Sequence, residues 1–111
     1  MTDAWDPETV FDLFGSESAR HILALASETP MTADDLASHL SISQPTVYRR
    51  VGELLEYDLL TERDHIDDEG NHYNTYVSNL DAVTFRVEDG SFVVDLQLER
   101  DVAEQVRESD R

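Results

Sequence analysis

Between Thr32 and Leu55 two predicted helices are joined by only three or four residues, and this spacing constrains the fold more than any other feature of the chain. Thr32-Ala-Asp-Asp35 has the form of a capping box, with Asp in place of the usual Glu, and Leu36, Ala37 and Leu40 follow as a short buried stripe. Ser41-Ile42-Ser43 turns the chain. Ser43 then caps a second helix in which Val47, Val51, Leu54 and Leu55 fall at i, i+4, i+7 and i+8, one core-facing stripe. The opposite face carries Thr46, Arg49 and Glu53.

The flanking segments fix the rest of the order. Asp6-Pro7-Glu8 places an N-cap, a proline at the first helical position and an acid in the first turn, ahead of Val10, Phe11, Leu13 and Phe14. Gly15 stops that helix, Ser16 caps another carrying Ala19, Ile22, Leu23 and Ala26, and Pro30 ends it. Residues 59–66 and 72–78 read as strands around Asp67-Asp-Glu-Gly-Asn71, a loop too long for a tight turn. In a second hairpin Val83, Phe85 and Val87 alternate with polar residues, Asp89-Gly90 supplies a type I′ turn, and Phe92, Val94 and Leu96 alternate back. A weak amphipathic helix is predicted over about 99–109, with Val102 and Val106 inward.

Two short helices on a tight turn, followed at once by a protruding hairpin, describe a winged helix-turn-helix. The predicted fold class is α+β: four N-terminal helices, a wing hairpin, a second β-hairpin and a C-terminal helix. No repeat or linker interrupts residues 1–111, which are expected to form one domain. Residues 31–78 hold the helix-turn-helix and wing, and 79–111 are expected to serve dimerisation.

Charge narrows the function. The chain of 111 residues has a formal net charge of -17, with 25 carboxylates against eight positive residues, all of them Arg. The carboxylates are interleaved with periodic apolar residues, so the acidity does not signal disorder. Absence of Lys with this excess looks like the cytoplasmic proteome of salt-accumulating archaea. At about 1 M salt the Debye length falls to about 3 Å, so self-repulsion costs little, and K or Na ions are expected at the acidic surface.

Other classes drop out. Without cysteine there are no disulfides or thiolate ligands. No apolar run approaches the roughly 20 residues of a membrane span, and the acidic start is unlike a signal peptide, so a cytoplasmic protein without membrane contact is expected. No nucleophile elbow, glycine-rich phosphate loop or HExxH helix occurs, so no enzyme is expected.

The carboxylates also leave gaps. The longest acid-free stretch runs from Leu36 to Gly52 and the next from Gly70 to Leu80, covering the second helix of the pair and the returning wing strand. A surface that meets phosphate excludes carboxylates because like charges at a close interface cost several kcal/mol. Double-stranded DNA is therefore the expected partner. The candidate recognition residues are Ser43, Gln44, Thr46, Tyr48, Arg49 and Arg50. Arg49 suits a bidentate contact with guanine, and Arg50 a phosphate or a carboxylate such as Glu53 or Glu56. Gln44 and Thr46 suit adenine or a thymine methyl, and the Tyr48 hydroxyl a phosphate. Arg63, His65, Asn71, His72 and Asn74 give the wing polar and cationic groups for the minor groove or its phosphates. Trp5, Phe11, Phe14, Phe85 and Phe92 exceed what a four-helix core needs, and a homodimer would hide them.

The segment "MTADDLASHLSISQPTVYRRVGELLEYDLLTE", 31–62, resembles the ArsR-type winged helix of archaeal and bacterial transcription regulators, through Leu36-Ala37, Leu40, Ile42-Ser43, Thr46-Val47, Val51, Leu54 and Leu59-Leu60. "LFGSESARHILALAS", 13–27, is similar to that family's preceding helix, and the salt signature is that of a haloarchaeal member. The resemblance covers roughly residues 10–78 and implies a DNA-binding regulator acting as a homodimer. Residues 79–111 depart from the commonest ending, a long helix at the dimer interface. The family's usual metal sites use Cys or a His/Asp pairing on the last helix, and 99–109 contain neither Cys nor His, so no metal or other cofactor is expected. Two other readings compete: a winged helix that holds a basic protein partner without touching DNA, and an architectural DNA binder with little sequence preference.

Overall fold

The structure, a computed structural model, describes residues 6–99 and 102–109. Four helices come first: α1 (Pro7–Gly15), α2 (Glu17–Glu28), α3 (Ala33–Leu40) and α4 (Gln44–Glu56). Their ends follow the sequence signals. Ser16 accepts from the Ala19 N–H at 3.2 Å, and Ser43 from the Thr46 N–H at 3.3 Å. Thr32 and Asp35 close a reciprocal capping box, at 3.0 Å and 3.1 Å. Asp6 holds the N-cap position of α1, but its carboxylate accepts from the Thr9 hydroxyl at 2.8 Å rather than from backbone. Between α3 and α4 the tight turn is made by Ser41, in the left-handed region at φ 56°.

Strand β1 (Leu60–Ile66) pairs antiparallel with β2 (His72–Ser78) to form the wing. The second hairpin, β3 (Leu80–Glu88) and β4 (Ser91–Leu98), closes on Asp89 and Gly90 at φ 52° and 79°, the two positive angles a type I′ turn requires. These elements define a winged helix-turn-helix in an α+β fold.

The predicted terminal helix over about 99–109 is not formed. Instead β5 (Val102–Ser109) pairs antiparallel with β4 from Leu98↔Val102 to Ser91↔Ser109, giving a three-stranded sheet in the order β3-β4-β5. Two features explain the misreading. Val102 and Val106 are four residues apart, a spacing that satisfies the helical period and the strand period alike. Strand β4 also buries a residue on each face at its middle, Val93 on one and Val94 on the other, and it lies at the centre of the sheet, with a neighbour on either side.

One buried cluster runs from α1 through α2, α3 and α4 to the wing base and β4. Val10, Ile22, Leu36, Val47, Leu54, Leu59 and Leu96 are at most 1% exposed and anchor it. The stripes predicted for α2 and α4 fill this core; Leu40 and Leu55 pack at its margin. Asn79, between β2 and β3, joins the two sheets. Its amide donates to the Asp58 carbonyl at 3.1 Å, its side-chain oxygen accepts from the Thr61 hydroxyl at 2.9 Å, and its backbone bonds Leu59 and Glu99. Burial of these polar atoms costs little because each is paired.

Candidate nucleic-acid interface

Helix α4 turns Val47, Val51 and Leu54 into the core and leaves Tyr48 and Arg49 exposed. The adjacent arginines have different surroundings. Arg50 Nη1 donates to Glu53 Oε1 at 3.0 Å and Nε to the Ser18 hydroxyl at 3.3 Å, so this side chain braces α4 against α2. Arg49 makes no hydrogen bond or ion pair with any described residue. Three of the other described arginines are engaged: Arg20 on the Phe14 carbonyl at 2.9 Å, Arg86 on Asp95 and Glu88, and Arg107 on Glu88. Hydrogen bonds from Arg107 first, and then from Arg86, hold the Glu88 carboxyl below the usual carboxylate range. Arg63, exposed on β1, is the other described arginine without a partner.

The first turn of α4 is less open than its sequence implies. Gln44 Nε2 donates to Asp34 Oδ1 on α3, and Thr46 Oγ1 accepts from Ser43 at 3.0 Å. Residues 36–52 contain no acid, yet the carboxylate of Asp34 lies beside them in space. Tyr48, at 55% exposure, lines a cleft of about 380 Å³ with Asp34, His72, Asn74 and Tyr76, between the helix pair and the wing.

Register divides the wing candidates over two faces, since directly paired residues share a face. Arg63↔Thr75 and His65↔Tyr73 lie on one; Asp64↔Asn74 and Ile66↔His72 lie on the other. On the first, His65 stacks on Tyr73 with centroids 4.9 Å apart, and its Nε2 lies 2.8 Å from the Thr75 hydroxyl. On the second, Asn74 donates to Glu62 at 3.2 Å, and burial followed by the Glu62 carboxylate pushes the Tyr76 phenol up. His65 and His72 therefore do not meet across the hairpin. Among the described residues no group of three or more His, Cys, Asp or Glu is placed to hold a metal. At the tip, Asp67 accepts from the Asn71 N–H at 2.8 Å and the Glu69 N–H at 2.9 Å. These bonds, Asn71 foremost, pull its carboxyl below the ordinary range.

The aromatic set of the two ends meets within one chain. Phe11 stands 5.2 Å from Phe92 and 6.1 Å from Phe85, and Phe14 stands 6.2 Å from Phe85, between centroids. Phe14 is buried and Phe11 half-buried, whereas Phe85 and Phe92 remain 45% and 41% exposed. Trp5 lies outside the described residues. Sequence reasoning missed Asp34, Glu62 and Tyr73. Only the strand register and the closeness of α3 to α4 place them at this surface.

Fold and site together define a helix-turn-helix protein with a wing. A family model described as a helix-turn-helix domain matches residues 18–63, from α2 through the first half of β1. No curated protein matches the chain. Among the described residues no helix is long and apolar enough to cross a membrane.

Proposed function

We propose that the chain is a sequence-specific DNA-binding transcription regulator that acts as a homodimer in the high-salt cytoplasm of a haloarchaeon, with the ArsR-like helix pair as its reading head. One observation carries the reading. In a chain with 25 carboxylates, the described arginines left without partners are Arg49 on α4 and Arg63 on β1, the two elements with which a winged helix meets a duplex. Unpaired guanidinium groups in an acid-rich surface are available to bases and phosphates.

In this reading Arg49 enters the major groove and donates its fork to a guanine. Arg50 sets the pitch of α4 through Glu53 and Ser18 and reaches at most a phosphate. Ser43, Thr46 and Tyr48 border the backbone, and Gln44 reads a base once it leaves Asp34. On the wing, Arg63 with His65 serves one face, and His72 with Asn74 the other; Asn71 stands at the tip. K or Na ions bridge Asp34, Glu62 and the tip carboxylates to phosphates. The dimer draws on the terminal aromatics, narrowed to the exposed Phe85 and Phe92.

Selection of bound duplexes from a random pool in molar KCl tests the proposal. It predicts a pseudo-palindromic consensus with half-sites about 34 Å apart, one turn of B-DNA. A pool that stays random after repeated rounds would overturn it.

A further inference from the structure

Strand β3 is an outer strand: among the described residues nothing pairs with the edge that faces away from β4. Its backbone groups divide by parity. Glu88↔Ser91 closes the two-residue turn, and such a closing pair is hydrogen-bonded. Glu88, Arg86 and Thr84 therefore point their N–H and C=O groups at β4, and Val83, Phe85 and Val87 point theirs outward. The same three residues carry the large apolar side chains of the strand's turn-proximal half. Val87 is 79% exposed and Phe85 45%. An unpaired edge whose outward backbone groups belong to exposed apolar residues is a template for another strand.

We infer that β3 is the dimer contact: it pairs antiparallel with β3 of a second copy about a two-fold axis at Phe85, joining the two sheets into one of six strands. The inference rests on the homodimer proposed above and names its surface. Side-chain matching favours one register. With Phe85 on the axis, Phe85 faces Phe85 of the second copy, Val83 faces Val87, and Thr84 faces Arg86, so that residues 82–88 oppose no like charges. Moving the axis by one residue sets Arg86 against its own copy in one direction and Asp81 against Val87 in the other.

A second feature fits the same register. Val83 lines a mainly apolar groove of about 260 Å³ with Leu23, Ala24 and Leu80, which Ser78 and Asp81 also border. In this pairing the strand position beside that groove is taken by Val87 of the second copy. Each copy thus offers the most exposed apolar side chain of β3 and the groove next to its place.

Sedimentation and disulfide trapping of the full chain in molar KCl test the inference, with no native cysteine to interfere. Thr84 and Arg86 of the second copy would form a pair with Cα atoms about 4.5 Å apart, within the disulfide range of about 4.4–6.8 Å. Each residue would stand about 7–8 Å from its own copy. A Thr84→Cys chain mixed with an Arg86→Cys chain should give at least roughly tenfold more linked dimer than either alone. Phe85→Cys, on the axis, should link to itself and keeps the test alive if the Arg86 change disturbs folding. A wild-type dimer whose mixed and axial cysteines link no better than the single variants overturns the edge pairing and leaves the homodimer standing. A wild-type monomer overturns both.

Discussion

Arg50 Nη1 lies 3.0 Å from Glu53 Oε1, one helical turn further along α4, whereas Arg49 beside it has no partner among the described residues. The pairing assigns Arg50 to the fold. A partly exposed i,i+3 pair is worth about 0.3–0.5 kcal/mol, and the Ser18 bond adds a similar amount. Arg50→Ala should therefore lower unfolding stability by about 0.5–1 kcal/mol, read by denaturant titration in molar KCl. A loss above about 3 kcal/mol would mean that the side chain supports more than these two bonds.

Asn79 should matter more, although no sequence motif marks it. Its side chain is buried and its amide and oxygen are both paired, to Asp58 and Thr61. Asn79→Ala strands a carbonyl and a hydroxyl and should cost about 1–3 kcal/mol. Thermal unfolding of the variant measures this; a shift within error of wild type would show that water replaces the amide.

The wing tip should loosen in acid. The folded Asp67 carboxyl titrates below its ordinary value because backbone N–H groups, Asn71 foremost, bind the charged form. The contribution of this loop is thus complete above the ordinary carboxylate pKa of about 3.9 and is lost as pH falls through the lower folded value. Amide resonances of Glu69 and Asn71 should move with an inflection below about pH 3.9, and Asp67→Asn should abolish it. An inflection above that value contradicts the geometry of the tip.

Affinity for the selected duplex should respond unusually to salt. Counterion release ordinarily makes binding fall steeply as salt rises. Here Asp34 and Glu62 stand beside the candidate contact residues Gln44 and Asn74, and the proposed DNA contact requires cations between carboxylate and phosphate. Binding should stay level or strengthen between low and molar KCl. The usual steep negative slope would remove the bridging cations from the account.

Local signals made most of this fold legible. The Ser16, Thr32 and Ser43 caps, the stripes of α2 and α4, and the Asp89-Gly90 turn each depend on neighbours in sequence, and each is formed. What depended on distant partners was not legible. Val102 and Val106 fit either period, and pairing with β4 decides for a strand. The acid-free window 36–52 spoke for an open helix face, but Asp34 reaches Gln44 from ten residues away. The wing residues read as one set; strand alternation splits them into two. The terminal aromatics were read as more than a helical core needs, and so as a dimer surface. Their first partners are one another, across α1 and the second hairpin.

The central claim is that Arg49 reads a base while its neighbour holds the helix. The direct measurement is binding of Arg49→Ala to the selected duplex and to its single-base variants in molar KCl. The account predicts a loss of about 1–3 kcal/mol and relaxed preference at one base position in each half-site. Unchanged affinity with unchanged preference at every position would contradict it.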